Sequence, residues 1–130
     1  MGVKNLKHTV TLRASPHDVY ETIMDPKEHA KFSGAPARME RKAGGRFVHY
    51  GDSLSGMVVD FEPDKKIVLA WRSEGWPERH YSIAQFTLSR AGRGTKLVFE
   101  QFGIPSDDYA DISDGWRQYY WAPMKQYLEG

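Results

Sequence analysis

The feature that most constrains this chain is a change of hydrophobic period near its C-terminal end. Between residues 37 and 102, short alternating apolar segments are separated by turns rich in Gly and Pro, which is typical of antiparallel strands. From about Ser113 onward, apolar side chains recur at three- and four-residue steps, which predicts an amphipathic helix that Pro123 should kink or end. A sheet needs a cover for its apolar face, and this helix is the long cover that the sequence offers. We therefore expect a curved sheet wrapped on a C-terminal helix.

The N-terminal part adds one strand and two short helices. Alternation from Leu6 to Leu12 predicts a strand with one covered face. Ser15 is a suitable N-cap and Pro16 suits the first helical position, so a short helix should begin there. Asp25-Pro26 should start a second helix, which ends near Gly34. The predicted fold class is α+β, with an antiparallel sheet of about six or seven strands, two short helices after the first strand, and one long C-terminal helix.

Length, charge and cysteine content narrow the class of protein. The 130 residues fit one domain, 1–130, which is long enough to bury a core without a disulfide or metal. The sequence has no cysteine, which excludes disulfides and Cys-based zinc sites and fits a cytoplasmic protein. A formal net charge of +1 gives no general case for binding nucleic acid or membrane. The sequence shows neither a signal peptide nor an apolar run long enough to span a bilayer.

A series of short motifs runs along nearly the whole chain: Phe32-Ser33-Gly34-Ala35-Pro36-Ala37, Gly44-Gly45-Arg46-Phe47, Ser55-Gly56, Pro63-Asp64-Lys65-Lys66-Ile67-Val68, Trp71-Arg72, Trp76-Pro77-Glu78-Arg79-His80, Gly103-Ile104-Pro105 and Gly115-Trp116-Arg117-Gln118-Tyr119-Tyr120. Their order and spacing are similar to those of the C-terminal domain of the activator of heat-shock protein 90 ATPase, within the START and birch-pollen-allergen-like helix-grip superfamily. The resemblance covers nearly the whole chain and implies a helix-grip fold and a co-chaperone-like role, with a heat-shock protein 90-type chaperone as partner. In two-domain members an N-terminal domain, without counterpart in this sequence, supplies much of the chaperone contact, so ATPase stimulation by this chain alone is left open.

Two features are candidates for binding a protein partner. The loop around Trp76-Pro77 lies between two strands, and an exposed indole held extended by the proline would be an interaction hot spot. The alternative that we favour is an indole that folds back and plugs one end of the core. A basic hairpin around Gly44-Gly45 could meet an acidic surface, although such charges usually protect a solvated strand edge. The partner-binding candidates are Trp76, Glu78, Arg79, Arg38, Arg41 and Arg46.

The interior offers an alternative function, the carriage or sensing of a small hydrophobic molecule. A sheet that curls over one helix can leave a space between them, and such spaces are common ligand sites. The opposite expectation, which periodicity favours, is a mostly filled aromatic core with a small residual pocket. The ligand-binding candidates are Phe47, Trp71, Phe86, Phe99, Trp116 and Tyr120.

The histidines do not form the pattern of a metal site or a catalytic triad. None of the five is spaced from another like a pair of metal ligands, and no Ser-His-Asp order occurs with a nucleophile elbow. His8 on the first strand and His49 in a central hairpin could each act as a general base in a cyclase- or hydrolase-like enzyme, but hydrogen-bonded structural histidines are the favoured interpretation. We therefore predict a binding protein without catalytic residues, metal or cofactor, present as a monomer or a weak homodimer.

Overall fold

A computed structural model describes residues 2–129, in which strands and helices follow the predicted order. The chain begins with β1 (Val3–Leu12), α1 (Pro16–Met24) and α2 (Pro26–Ser33). Six strands follow: β2 (Arg38–Met39), β3 (Arg46–His49), β4 (Leu54–Glu62), β5 (Lys66–Ser73), β6 (Ser82–Ala91) and β7 (Gly94–Pro105). After a 3-10 turn at Ser106–Asp108 come α3 (Tyr109–Trp116), a π-helical segment (Arg117–Trp121) and α4 (Ala122–Glu129), which together we call the C-terminal helix. Within residues 2–129, no helix has the length and hydropathy needed to cross a membrane.

The seven strands form one antiparallel sheet in the order β1-β7-β6-β5-β4-β3-β2. This arrangement confirms the predicted fold class, and it follows from the short turns between consecutive strands. The first hairpin is shorter than the alternation from Ala37 to Arg41 predicts, because only Arg38 and Met39 pair with β3. Beyond them, the Glu40 side chain turns back, and its Oε1 accepts a hydrogen bond from the backbone N–H of Arg46 at 2.7 Å.

Inward-facing side chains of the sheet and the C-terminal helix share one core. On β5, Ile67, Leu69 and Trp71 are buried, whereas Val68 and Ala70 between them lie partly exposed on the outer face. This period of two is the alternation that the sequence predicted for a strand with one covered face. The inner face is therefore lined by large side chains that the C-terminal helix must cover.

Capping residues fix both short helices where the sequence predicted them. The Ser15 Oγ accepts a hydrogen bond from the N–H of Asp18 at 3.1 Å, and the Asp25 Oδ1 accepts one from the N–H of Lys27 at 2.8 Å. Gly34 ends α2 in the left-handed conformation, with φ of 72°, which glycine adopts without strain. Between these caps, α1 packs against α2, α4 and strands β6 and β7, and α2 packs against α1 and α4.

Pro123 explains the irregular middle of the C-terminal helix. Proline has no N–H to donate to the carbonyl of Tyr119, four residues earlier. The helix widens into the π-helical segment ahead of the proline, and the Tyr50 hydroxyl donates a hydrogen bond to the Tyr119 carbonyl. The wider turn lets the adjacent residues Tyr120 and Trp121 both bury their rings. The break that the sequence predicted at Pro123 thus takes the form of a π-helical segment.

Gly56 marks a close approach between β4 and β5. A Cβ atom at this position would overlap the carbonyl oxygen of Ala70 and would lie 2.9 Å from the ring of Phe47. Gly56 pairs with Trp71 in the sheet register. Because Gly56 has no side chain, it leaves room for the neighbouring rings on the inner face of the sheet.

Candidate binding site

A cleft of about 410 Å³ lies between the C-terminal helix and strands β4 and β5; we call it the helix–sheet cleft. The helix supplies one wall, and the sheet with the β3–β4 turn supplies the other. Tyr119 at the rim is 51% exposed, whereas Trp71 is 2% exposed, so the cleft runs from solvent to the core. Its lining residues are Tyr50, Ser53, Leu54, Trp71, Ser73, Asp111, Ile112, Gly115, Trp116, Tyr119 and Tyr120.

Trp71, which lines the cleft, carries a buried hydrogen-bond donor that has no partner. Its ring packs edge-on against Trp76 and tilted against Trp116, with both centroid distances at 5.4 Å. Its Nε1–H is buried and has no hydrogen-bond partner among residues 2–129. Buried indole N–H groups are normally paired, because leaving one unpaired costs free energy. Because this N–H is enclosed, a molecule bound in the cleft would accept a hydrogen bond from it only after a shift of the surrounding rings.

Tyr50 bridges the two walls of the helix–sheet cleft. Its φ of 54° lies in the left-handed region, which is sparsely populated by aromatic residues. Its ring centroid lies 5.7 Å from that of Tyr119 and 5.9 Å from that of Tyr120, and its hydroxyl donates to the Tyr119 carbonyl. Burial raises the pKa of Tyr50 to about 12, so the hydroxyl keeps its proton and remains a donor. The strained turn is thus held by contacts to the C-terminal helix.

Behind Tyr120 lies a buried group that we call the His29–His49–Tyr120 cluster. The two imidazoles stack with centroids 3.7 Å apart and planes 24° apart. The Tyr120 hydroxyl lies 2.7 Å from the Nδ1 of His49 and 3.3 Å from the Nε2 of His29, so it donates to one imidazole and accepts from the other. Burial lowers the pKa of His29 to about 4 and lowers the pKa of His49 well below its ordinary value. Both imidazoles are therefore neutral at pH 7.

His8 is held by hydrogen bonds at both ring nitrogens. Its Nδ1 accepts from the Nε1–H of Trp121 at 2.9 Å, so its Nε2 carries the proton and donates to the Oγ of Ser113 at 3.0 Å. Burial is the main cause that lowers the pKa of His8. Neither His8 nor His49 lines the helix–sheet cleft, and neither bonds a carboxylate within residues 2–129. The structure therefore favours hydrogen-bonded structural histidines over the general-base hypothesis.

The predicted ligand-binding aromatics occupy two layers. Trp71, Trp116 and Tyr120 line the cleft, whereas the other three are at most 1% exposed and lie in the core behind it: Phe47, Phe86 and Phe99. The inner layer is buried because its members point inward from β3, β6 and β7 beneath the helix. Tyr50 and Tyr119 also line the cleft but were not among the predicted ligand-binding residues. In the sequence, Tyr50 stands in an ordinary turn and Tyr119 at an ordinary helical position.

Trp76 folds back into the core, as the favoured alternative for its loop expected. It is 5% exposed, and its ring centroid lies 5.4 Å from Trp71 and 5.5 Å from His80. The Arg72 guanidinium donates a hydrogen bond to the Trp76 carbonyl at 2.8 Å, which holds the loop in place. The indole is therefore not an exposed hot spot, and the nearby candidates that do reach solvent are Glu78 and Arg79.

The predicted basic hairpin divides into a paired arginine and two that lack acidic partners. Arg41 forms a bidentate ion pair with Glu21, at 2.8 and 2.7 Å, and lies over the ring of Tyr20. Its charge is satisfied within the fold. Arg38 and Arg46 are exposed on the outer face of the sheet, and within residues 2–129 no carboxylate oxygen lies within 4 Å of either guanidinium.

A family model with the description "Activator of Hsp90 ATPase homolog 1-like protein" matches residues 13–129. This chain belongs to that family. Among the relatives of this Hsp90 ATPase activator homologue is the human activator of 90 kDa heat shock protein ATPase homolog 1, which is 32% identical over 130 residues. The alignment covers 97% of this chain but only 38% of the human protein. The family resemblance that the motifs indicated is confirmed.

Two solved structures show the same fold as this activator homologue. The crystal structure of an HSP90 activator from Plasmodium falciparum superposes with a TM-score of 0.89 at 23% identity, covering 98% of this chain and 97% of that one. The solution structure of the Aha1 dimer from Colwellia psychrerythraea gives a TM-score of 0.83 at 18% identity, covering 97% and 96%. These likenesses confirm the helix-grip fold.

Proposed function

We propose that this chain is a non-enzymatic, cytoplasmic binding domain that engages a heat-shock protein 90-type chaperone in a co-chaperone-like manner. The family match over residues 13–129 is the observation that carries the proposal. The geometry of the site supports it, because the buried histidines are neutral and bonded to Tyr, Trp and Ser side chains instead of facing the cleft. A binding role needs no reactive group, whereas a hydrolase or cyclase needs one that reaches its substrate.

Titration of the purified chain against the chaperone from the same organism tests this proposal. We expect saturable binding in a calorimeter, with a Kd on the order of 1–100 µM, because small transient interfaces are typically weak. The chaperone's ATPase rate gives a second readout of the same mixture. If neither heat of binding nor a change of ATPase rate is detected with or without ATP, the proposed partner is wrong.

A second candidate function, the carriage or sensing of a small hydrophobic molecule, is favoured by the helix–sheet cleft. Its volume of about 410 Å³ falls within the range of known ligand pockets, roughly 300–1,000 Å³. The walls are mostly aromatic and aliphatic, and a small shift of the Trp71 ring would open its unpaired Nε1–H to the cleft as a donor. This combination suits a flat apolar molecule with one hydrogen-bond acceptor.

Thermal-shift measurements with matched pairs of aromatic compounds, with and without a carbonyl acceptor, test this second function. We expect acceptor-bearing compounds to raise Tm by several degrees, because ligand at about 100 times its Kd stabilises a protein by roughly 2.7 kcal/mol. The variant Trp71→Phe keeps an aromatic ring but lacks the donor, so it should bind the acceptor compounds about tenfold more weakly and the hydrocarbons equally well. If no compound shifts Tm, or if the variant weakens both classes alike, the donor role of Trp71 fails.

A further inference from the structure

The outer face of the sheet, which is turned away from the C-terminal helix, carries an exposed apolar row. The sheet register places Met57, Ala70, Ile83 and Phe102 side by side on β4, β5, β6 and β7, and we call them the outer-face row. Met57 is 46% exposed, Ile83 38% and Phe102 40%. Three strand spacings make the row roughly 14 Å long. Contiguous apolar side chains on a protein surface commonly mark an interaction site.

Two further exposed side chains widen the outer-face row. The register of β4 and β5 shifts between Val58 and Asp60, so the extra residue Val59 has no partner in the ladder and is 45% exposed. Tyr81, just before β6, is 49% exposed and lies under the guanidinium of Arg72, 5.8 Å from its ring centroid. The apolar surface is therefore broader than a single cross-strand line.

Arginines border the outer-face row at the β3 end. Arg46 pairs with Met57 in the register and so continues the row directly, and Arg38 lies on the neighbouring strand opposite Val48. Both guanidinium groups reach solvent without an acidic partner among residues 2–129. The Glu40 carboxylate, which accepts the Arg46 backbone N–H, offsets part of this charge, so Arg38, Glu40 and Arg46 together leave one net positive charge at this end of the outer face.

Two acidic groups on the same face have a lysine as their neighbour. Asp60 forms an ion pair with Lys66 at 2.9 Å, and Glu100 stands directly opposite Lys7 in the register of β1 and β7. The charges that adjoin the apolar row without an ion-pair partner are those of Arg38 and Arg46. The complementary surface would carry carboxylates next to an apolar ridge.

We propose that the outer-face row and its arginine border form a docking surface for an acidic, apolar segment of a protein partner. Resting on the proposed function, the partner is the heat-shock protein 90-type chaperone. A row roughly 14 Å long and only one or two side chains wide fits a single partner segment, and its area is smaller than the roughly 800 Å² per partner that a standard stable interface buries. In a symmetric dimer formed through this face, Arg38 and Arg46 of the two copies would repel each other, so a second copy of this chain is disfavoured as the occupant. The net charge of +1 offers no broad field for a membrane or nucleic acid.

Two double variants test the docking surface against the same chaperone. Arg38→Glu/Arg46→Glu reverses the border, and Ile83→Thr/Phe102→Thr makes the row polar while the β-branched threonines suit a strand. We expect each double variant to raise the Kd about tenfold or more. The matched control is Lys96→Glu on the same face, three two-residue steps along β7 from Phe102 or roughly 20 Å away, and its Kd should stay unchanged. Raising the salt concentration should weaken binding of the unsubstituted chain more than binding of the arginine variant.

Amide NMR spectra keep the outcomes separate. Variants must retain the dispersed spectrum of the unsubstituted chain, and chaperone added to labelled protein should perturb the outer-face row first. Binding that neither double variant weakens, or perturbation confined to the helix–sheet cleft, overturns the docking surface but leaves the proposed function standing. No binding by the unsubstituted chain overturns both. The protein partner is wrong if the chain binds phosphatidylserine vesicles or single-stranded DNA more tightly than the chaperone and the same double variants abolish that binding.

Discussion

Replacement of Trp116 by alanine should lower the free energy of unfolding by about 3–5 kcal/mol, as large aromatic truncations in cores do. Trp116 is 3% exposed and lies where the C-terminal helix meets the sheet. A small domain has roughly 5–15 kcal/mol of stability, so the loss would be a large fraction of the whole. Five aromatic rings have their centroids 4.2–5.8 Å from that of Trp116: Trp71, Phe86, Phe99, Tyr120 and Trp121.

The Trp116 indole also begins a buried chain of hydrogen bonds. Its Nε1–H donates to the Oε1 of Gln101 at 2.7 Å, the Gln101 Nε2 donates to the Oγ of Ser82 at 2.8 Å, and the Ser82 hydroxyl donates to the carbonyl of Trp71 at 2.9 Å. The variant Trp116→Phe keeps an aromatic ring but leaves the Gln101 oxygen unpaired, which costs about 1–3 kcal/mol. We therefore expect this variant to lie between the unsubstituted chain and Trp116→Ala.

Urea unfolding followed by circular dichroism measures these differences. The control is Gln118→Ala, an exposed position on the same helix, which should change the free energy of unfolding by no more than about 0.5 kcal/mol. A Trp116→Ala value close to that of the control would show that the indole does not hold the helix on the sheet. An unchanged Trp116→Phe value would remove the role of the hydrogen-bond chain.

Acidification from pH 7 to pH 5 should destabilise the chain by about 2 kcal/mol through His29 alone. Its pKa is about 4 in the folded chain and about 6.5 in the unfolded chain. Between pH 7 and pH 5, His29 therefore becomes mostly protonated in the unfolded state but stays mostly neutral in the folded state. The stabilising contribution is complete above pH 6.5 and is lost as the pH falls from 6.5 through 4. His49, whose pKa burial also lowers, contributes with the same sign.

Urea unfolding at several pH values between 7 and 5 measures how steeply the free energy of unfolding falls with pH. Most carboxylates titrate below this range. His29→Phe replaces the imidazole by a ring that does not titrate, beside Phe32, and should make the slope shallower than that of the unsubstituted chain. His17→Gln is the control. Its exposed imidazole has a raised pKa because of its hydrogen bond to Asp64, so its effect has the opposite sign, and the acid-induced loss should persist without it. Equal slopes for His29→Phe and the unsubstituted chain would contradict the role of the cluster.

Local chemistry made most of the fold predictable. Ser15 and Asp25 act as caps through hydrogen bonds within three residues, and period-two alternation depends only on neighbouring side chains. Trp76 illustrates the limit of such signals, because an aromatic residue next to a proline suits either an exposed loop or a core plug. Which one forms depends on Trp71 and on the Arg72 hydrogen bond, and the sequence alone does not place those groups around the indole.

The candidate sites depended on register and topology, which a single sequence does not reveal. His29 and His49 lie on a helix and a strand that meet only in the folded protein, so no spacing rule links them. The outer-face row requires the pairing of β4 through β7, including the bulge at Val59. Pro123 has no N–H to donate to the Tyr119 carbonyl, and the Tyr50 hydroxyl donates to that carbonyl instead. This role of Tyr50 is visible only once the turn and the helix are in place. Periodicity was enough to predict Trp71, Trp116 and Tyr120 as candidates. It could not show that these three line the cleft while Phe47, Phe86 and Phe99 lie in the core behind it.

Strand β5 places the two candidate surfaces back to back. Trp71 belongs to the helix–sheet cleft, while its neighbours Ala70 and Arg72 face the opposite side of the sheet. A single strand therefore separates the proposed small-molecule site from the proposed docking surface. Point substitutions could retune either side without touching the other, whereas deletion of a single residue within β5 would turn the strand over and exchange the two sets of side chains.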